Sequence, residues 1–382
     1  MAWESDRRVR LPLLVSSICL ATLAGAGIVA MVPAALSAGS KPAQAGSKTI
    51  GLALTGWRYA FVETPQYTEC GGKLDPGPVA QLRATPGAIE RIKTEGGSFE
   101  QTGPNGESPQ NSPLVFHDPL PVPELVTKTG FGVNLDGTQD GHATGKTCKH
   151  EKLTNAEGEK VDNQMSRVYG CVQGYRVGGQ SAEFYNTEVQ TSAINRHLIE
   201  ITGVDDEMND PAVEVFIYKG YDRLVRTGDN KFVPLLSQRI DPRYPQYTMR
   251  TTGKIVNGEL ITDPIRNALL PHSSQQKIGD RDMHDMTLRL KLTSDGAEGI
   301  LAGYDNWRHI WNQHAKRVTA ELNKMSSPTI YRRFMQYADG YPDANGQCTH
   351  ISSAYKVTAV RSIIVHPSPS DVRVAQNLGF RQ

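Results

Sequence analysis

The chain has 382 residues, 41 Lys and Arg against 40 Asp and Glu, and a formal charge of +1. That balance excludes a nucleic-acid binder, which carries a clear basic excess. The length suits one large domain or two ordinary ones after any targeting segment.

In chain order, Arg7, Arg8 and Arg10 precede an apolar run from Leu11 to about Leu36, broken by Pro33. Ala43-Gln44-Ala45 then supplies a small-x-small cleavage site. These are the parts of a secretory signal, so residues 1–45 are expected to be a signal peptide. The alternative is an uncleaved anchor, since about 20 apolar residues span a bilayer. No later segment is apolar enough to cross a membrane, and the expected location is periplasmic or extracellular.

Residues 46–125 read as an N-terminal strand followed by loops. Ile50 to Val62 mixes β-branched, aromatic and small residues and predicts a strand or two. Pro65 to Pro123 is rich in Pro, Gly, Asn and Ser and buries little apolar surface, apart from a short helix at Gly87 to Thr94. Residues 126–382 form the β-rich part. Acidic loops fill Asn134 to Asp162. Strands are predicted at His197 to Val204, Val213 to Lys219, Met286 to Thr293 and Tyr355 to Val365. Asn257-Gly258 between Lys254–Val256 and Glu259–Thr262 predicts a type I′ hairpin, whose two turn residues need φ > 0.

From Ala297 to Lys324 the apolar residues recur at three- and four-residue steps, as on one helix face, and Ser327-Pro328 can start a second helix ending at Asp339-Gly340. The fold expected is therefore mainly β with some α: a β-sandwich-like domain with a helical hairpin inserted at about 297–338.

Cys70, Cys148, Cys171 and Cys348 follow the signal, an even number that suits two disulfides in an oxidising compartment. Spacing does not choose among the three pairings. The most local is Cys148 with Cys171, which leaves Cys70 with Cys348. No C-x-x-C or H-x-x-x-H spacing supports zinc.

Asp136, Thr138 and Asp140 occupy alternate places of a tight loop with Gly141 next, as in a calcium loop. Thr147 stands where an EF-hand has its bidentate Glu, so a looser site completed by Asn134, Glu157 or Asp162 is the calcium reading. Asx turns, whose side chains bond their own backbone, are the other. Asp162-Asn163-Gln164 can complete such a shell or hydrogen-bond a buried loop. Asp205, Asp206, Asn209 and Asp210 form a further oxygen-rich group, either a cation site or a solvated turn. Asp339 to Gly346 reads mainly as a turn. Trp307 and Trp311 are four residues apart and either present an aromatic platform or pack in a core. No G-x-S-x-G or H-E-x-x-H occurs, and the ten histidines are scattered, so no catalytic residue is assigned.

The pattern NLDG…DG…C.HEK…EGE…DNQ…GC from Asn134 to Cys171, with LIEITGVDD…NDP.VEV, LRLKLTSDGAEG and ADGYPDANGQCTHISSAY, resembles a group of uncharacterised exported proteins of Gram-negative bacteria. The resemblance covers most of the chain after residue 45. It implies periplasmic or surface placement and a shared fold, and assigns no activity.

The expected function is a disulfide-stabilised, calcium-using protein that binds a glycan or an envelope protein. One alternative is a hydrolase of envelope or extracellular polymers using a pair such as Asp136 and Asp162 or Asp205 and Asp206. Another is an accessory subunit of an envelope complex.

Overall fold

A computed structural model of the chain describes residues 47–77, 80, 83–90, 103, 105–116, 123–272, 279–312 and 327–377. The signal segment 1–45 and the second half of the expected helix at Gly87 to Thr94 lie outside them.

Thirteen strands are described: β1 (Lys48–Tyr59), β2 (Leu153–Thr154), β3 (Lys160–Val161), β4 (His197–Val204), β5 (Asn209–Lys219), β6 (Leu236–Arg239), β7 (Met249–Val256), β8 (Glu259–Thr262), β9 (Ile265–Pro271), β10 (Asp280–Leu292), β11 (Gly296–Asn306), β12 (Gly340–Pro342) and β13 (Cys348–Val365). Eight of them pair in the order β1-β4-β5-β7-β8-β10-β11-β13, and β13 returns to pair with β1. The result is a closed antiparallel barrel. β8 and β9 both lie along β10, on either side of Asp263-Pro264. β6 runs parallel to the end of β13, β12 pairs its beginning, and β2 and β3 form a separate small hairpin.

The barrel corrects the sandwich expectation. A sandwich would divide these strands into two facing sheets, whereas here each neighbour is hydrogen-bonded and the circle closes from Gly51↔Ser362 to Tyr59↔Tyr355. Eight strands leave an interior just wide enough for side chains to fill. Leu52 and Leu54, Ile199 and Ile201, Val215 and Ile217, Leu288 and Leu290, Leu301 and Val357 fill it. At Gly51 a Cβ would lie 2.2 Å from the Ser362 carbonyl oxygen, so only glycine lets the closing strands approach this closely.

The second correction concerns the helical hairpin. Gly296–Asn306 is strand, and helix begins only at Trp307–Ile310, with a second helix at Ser327–Tyr337. Residues 313–326 lie outside the described set. β11 is covered on both faces: Leu301 points into the barrel, while Ala302 and Tyr304 lie under an outer layer. A strand buried on both sides loses its alternation of two, and its apolar residues then match helical steps by composition.

The outer layer is the excursion between β1 and β4, which carries helices Met165–Tyr169 and Gln180–Thr191. Where β1 ends and β13 begins, Phe61, Tyr169, Trp307, Trp311, Phe334 and Ile351 form a second apolar cluster. Trp307 and Trp311 are thus core residues, 1% and 5% exposed. The disulfides are Cys70–Cys171 and Cys148–Cys348, not the pairing by proximity in sequence. The first closes the excursion on itself, and the second ties it to the start of β13. Proximity along the chain misleads because the excursion folds back over the barrel wall. Among the described residues no helix is long and apolar enough to cross a membrane.

Candidate functional site

Between the outer layer and the barrel wall lies a sealed cluster of ionisable side chains. Cys148, His150 and Lys152 alternate along an extended segment and so share one side, the same side as the disulfide. The Asp162 backbone N–H donates to the Val133 carbonyl, and the Gln164 N–H to Ser352 Oγ on β13. The second bond fixes the Asp162–Gln164 stretch to β13.

The Lys152 ammonium lies 2.6 and 2.7 Å from the two carboxylate oxygens of Asp162 and 3.0 Å from Asn134 Oδ1, and it also donates to Asp136. His150 donates from Nδ1 to the Cys148 carbonyl at 2.9 Å and from Nε2 to Asp162 at 2.8 Å. Its Nε2 is also 3.7 Å from Asp136 and 3.9 Å from Asp339 Oδ2. Asp339 accepts the Ser352 N–H through Oδ1, while its Oδ2 and the Tyr304 hydroxyl, both buried, have no hydrogen-bond partner among the described residues. The five charged side chains are at most 4% exposed.

Electrostatics follow from this packing. Burial disfavours the charged form of His150, but the Asp162 hydrogen bond and the Asp339 charge outweigh it and raise the pKa to about 9. Burial pushes Asp339 up to about 7, against the pull of His150 and the Ser352 N–H. Burial also acts on Asp136, but the Lys152 and Thr138 hydrogen bonds prevail and hold it below the usual carboxylate range. Two cations face three carboxylates, and protonation of Asp339 brings the cluster to neutrality.

Of the residues singled out from the sequence, Asn134, Asp136, Asp162 and Asp339 meet here, the last read from the sequence mainly as part of a turn. Thr138 serves the cluster indirectly, donating its backbone N–H and hydroxyl to Asp136 as an Asx turn does. Asp140 is exposed and pairs with His142 at 2.6 Å. Asp205 and Asp206 belong to the β4–β5 turn, and Asn209 and Asp210 open β5. There Asp210 accepts the N–H groups of Asp205 and Ala212, Asp206 that of Met208, and Asn209 that of Asn257. Asn163 donates to the carbonyls of Ala60 and Phe131, and Asp343 accepts from its own turn. His150, Lys152 and Tyr304 were missed. The signal for the first two was the alternation C-x-H-x-K, which places thiol, imidazole and amine on one face of an extended strand.

One ligand atom each from Asp136, His150 and Asp162 lies within 4.8 Å of the others, a spacing that can hold a metal ion. The Lys152 ammonium stands on the same two carboxylates. Calcium asks for about six to eight oxygen ligands, whereas this set is two carboxylates and an imidazole beside a fixed cation.

A second buried charge lies inside the barrel. Arg281 pairs with Asp305 at 3.1 Å and donates to the Tyr355 hydroxyl, with His272 Nε2 at 3.1 Å.

The solvent-facing site is a groove on the barrel wall. One concavity of about 570 Å³ is lined by residues including Tyr59, Asn186, Gln190 and Phe232, and a second of about 660 Å³ by residues including Asn155, Glu159, Glu259 and Arg289. They share Phe131, Lys356 and Thr358, and the Lys356 ammonium sits 3.7 Å from the centre of the Phe131 ring. Flat rings, amides and charged groups of both signs thus line two adjoining concavities.

No protein-family model, curated protein or solved structure matches the chain.

Proposed function

We propose that the chain is an exported, disulfide-stabilised binding protein of the cell envelope, and that it holds a glycan along the groove centred on Phe131 and Lys356. The observation that carries this reading is the meeting of two concavities at one aromatic ring and one cation, with amides and carboxylates in the lining of both. Sugar rings offer apolar C–H faces to an aromatic ring and hydroxyls to amides and carboxylates, so adjoining pockets of this kind suit an oligosaccharide. The two disulfides and the basic–apolar N-terminus support a periplasmic or extracellular setting.

Binding is favoured over hydrolysis by where the carboxylates lie. Asp136 and Asp162 share one ammonium in a sealed layer, and Asp205 and Asp206 sit on an exposed turn. In the groove, Glu259 pairs with Arg289 at 3.1 Å. A glycosidase needs one carboxyl kept protonated beside its ionised partner, and a guanidinium contact opposes that. In this reading the cluster takes no calcium ion, because Lys152 Nζ stands on both of its carboxylates, Asp136 and Asp162.

The test is a glycan array with the purified protein, followed by calorimetry on any hit. Phe131→Ala is expected to weaken binding about tenfold, equivalent to about 1.4 kcal/mol. Failure to bind any envelope oligosaccharide, or equal affinity in the variant, would refute the reading.

A further inference from the structure

We propose that the folded chain joins Lys152 to Asp162 by an intramolecular amide bond, formed without any other protein. The proposal is independent of the groove and its ligand.

The geometry is that of a nucleophile already placed. Lys152 Nζ is 2.6 Å from one Asp162 oxygen and 2.7 Å from the other, so it faces the carboxyl carbon between them. Both side chains are sealed from solvent, at 2% and 0% exposure. Holding two reacting groups in contact removes most of the entropic cost of bringing them together, and a dry site disfavours the reverse hydrolysis.

The Asp162 carboxyl is also activated. Leu135 N–H donates to Oδ2 at 2.8 Å and His150 Nε2 to Oδ1 at 2.8 Å. His150 faces acceptors through both ring nitrogens, so both carry protons and the ring is cationic. The charged His150 donor thus awaits the negative charge that develops on Oδ1 during attack, while the Leu135 N–H holds Oδ2, the oxygen that leaves. Asp136 touches the same ammonium and is the base. Asp339 Oδ2, 3.9 Å from His150 Nε2, and the buried Tyr304 hydroxyl border the same pocket and have no hydrogen-bond partner among the described residues.

The step balances without any co-reactant. The Lys152 ammonium gives a proton to Asp136, and the freed lone pair attacks Cγ of Asp162. The carbon–nitrogen bond forms while charge gathers on the oxygen held by His150. Asp136 passes two protons in turn from the nitrogen to the other Asp162 oxygen. The carbon–oxygen bond then breaks and that oxygen leaves as water. One cation and one anion disappear together, Asp136 and His150 are regenerated, and nothing is oxidised or reduced. The link would span the β2–β3 hairpin beside the Leu153↔Val161 pair.

The experiment is an intact mass measurement on the purified protein after disulfide reduction, with a tryptic map of the same sample. The expected mass is one water below that of the sequence. The expected map contains a branched peptide joining His150–Lys160 to Val161–Arg167, uncut after Lys152. Lys152→Arg is expected at its full mass. A wild-type protein at full mass with a folded circular dichroism spectrum would overturn the proposal and leave an ion pair. So would loss of ammonia, which would place the bond on Asn134, a branch at Asp136, or water loss mapped to a cyclic imide at Asp136-Gly137.

Discussion

Replacing Asp339 by Asn should change how stability depends on pH. The carboxyl is buried beside His150, and its pKa rises from 3.8 to about 7 on folding. The folded state therefore keeps a proton that the unfolded state loses, and this stabilisation is complete below about pH 4 and gone once pH has risen through about 7. A shift of about 3 units corresponds to about 4 kcal/mol. Buried His197 and His350, lowered by desolvation to about 3 and about 4, act in the opposite direction as pH rises from there to the ordinary histidine range. The difference between wild type and variant removes their contribution. Urea unfolding at about pH 4.5 and about pH 8 should show wild type losing about 3 kcal/mol relative to Asp339→Asn between the two, because part of the effect is already gone at pH 4.5. The same pH dependence in both proteins would mean that Asp339 is not protonated in the fold, and the charge balance argued for the cluster would fall.

Three further outcomes are expected. Arg281→Ala leaves Asp305 buried without its cation and should cost about 3 to 5 kcal/mol in urea unfolding, because an uncompensated interior charge is costly; a loss below 1 kcal/mol would show that Asp305 finds other compensation. Replacing Cys148 and Cys348 together by Ser opens a loop with a sequence separation of 200, for which chain entropy gives about 5 kcal/mol. An unchanged melting temperature in that variant would mean that the bridge does not constrain the unfolded chain. Adding calcium or a chelator should leave the melting temperature where it was, since a ligand raises stability only by binding the native state; a rise with calcium would displace Lys152 from its role.

Local features were legible in the sequence where the physics is local. Asn257 and Gly258 have φ of 52° and 74°, as the hairpin reading requires. Met286 to Thr293 alternates and, but for Thr293, lies within β10, and Ser327-Pro328 lies in a helix. Closure was not legible, because it rests on pairing Gly51 with Ser362, and nothing near either residue names the other. The same reason hid the disulfide pairing. Ala297 to Asn306 resembled a helix because a strand covered on both sides has no polar face to mark its period. At the site, the acidic loop drew attention to Asp136 and Asp162, but their partners are a lysine and a histidine of ordinary frequency. The charge count of the whole chain gives no sign that these four are buried together.

The first strand and the last close the barrel, and this sets an order of events. β1 emerges from any translating or translocating machinery well before β13, and one of its two edges stays open until that strand has followed. The hydrogen bonds of Gly51 to Tyr59 with β13, and the Cys148–Cys348 bridge, can form only once β13 has been made. Folding must therefore be slow to commit, as it is for chains dominated by distant contacts. Loss of the final strand would leave no smaller barrel behind, only β1 and β11 with open edges.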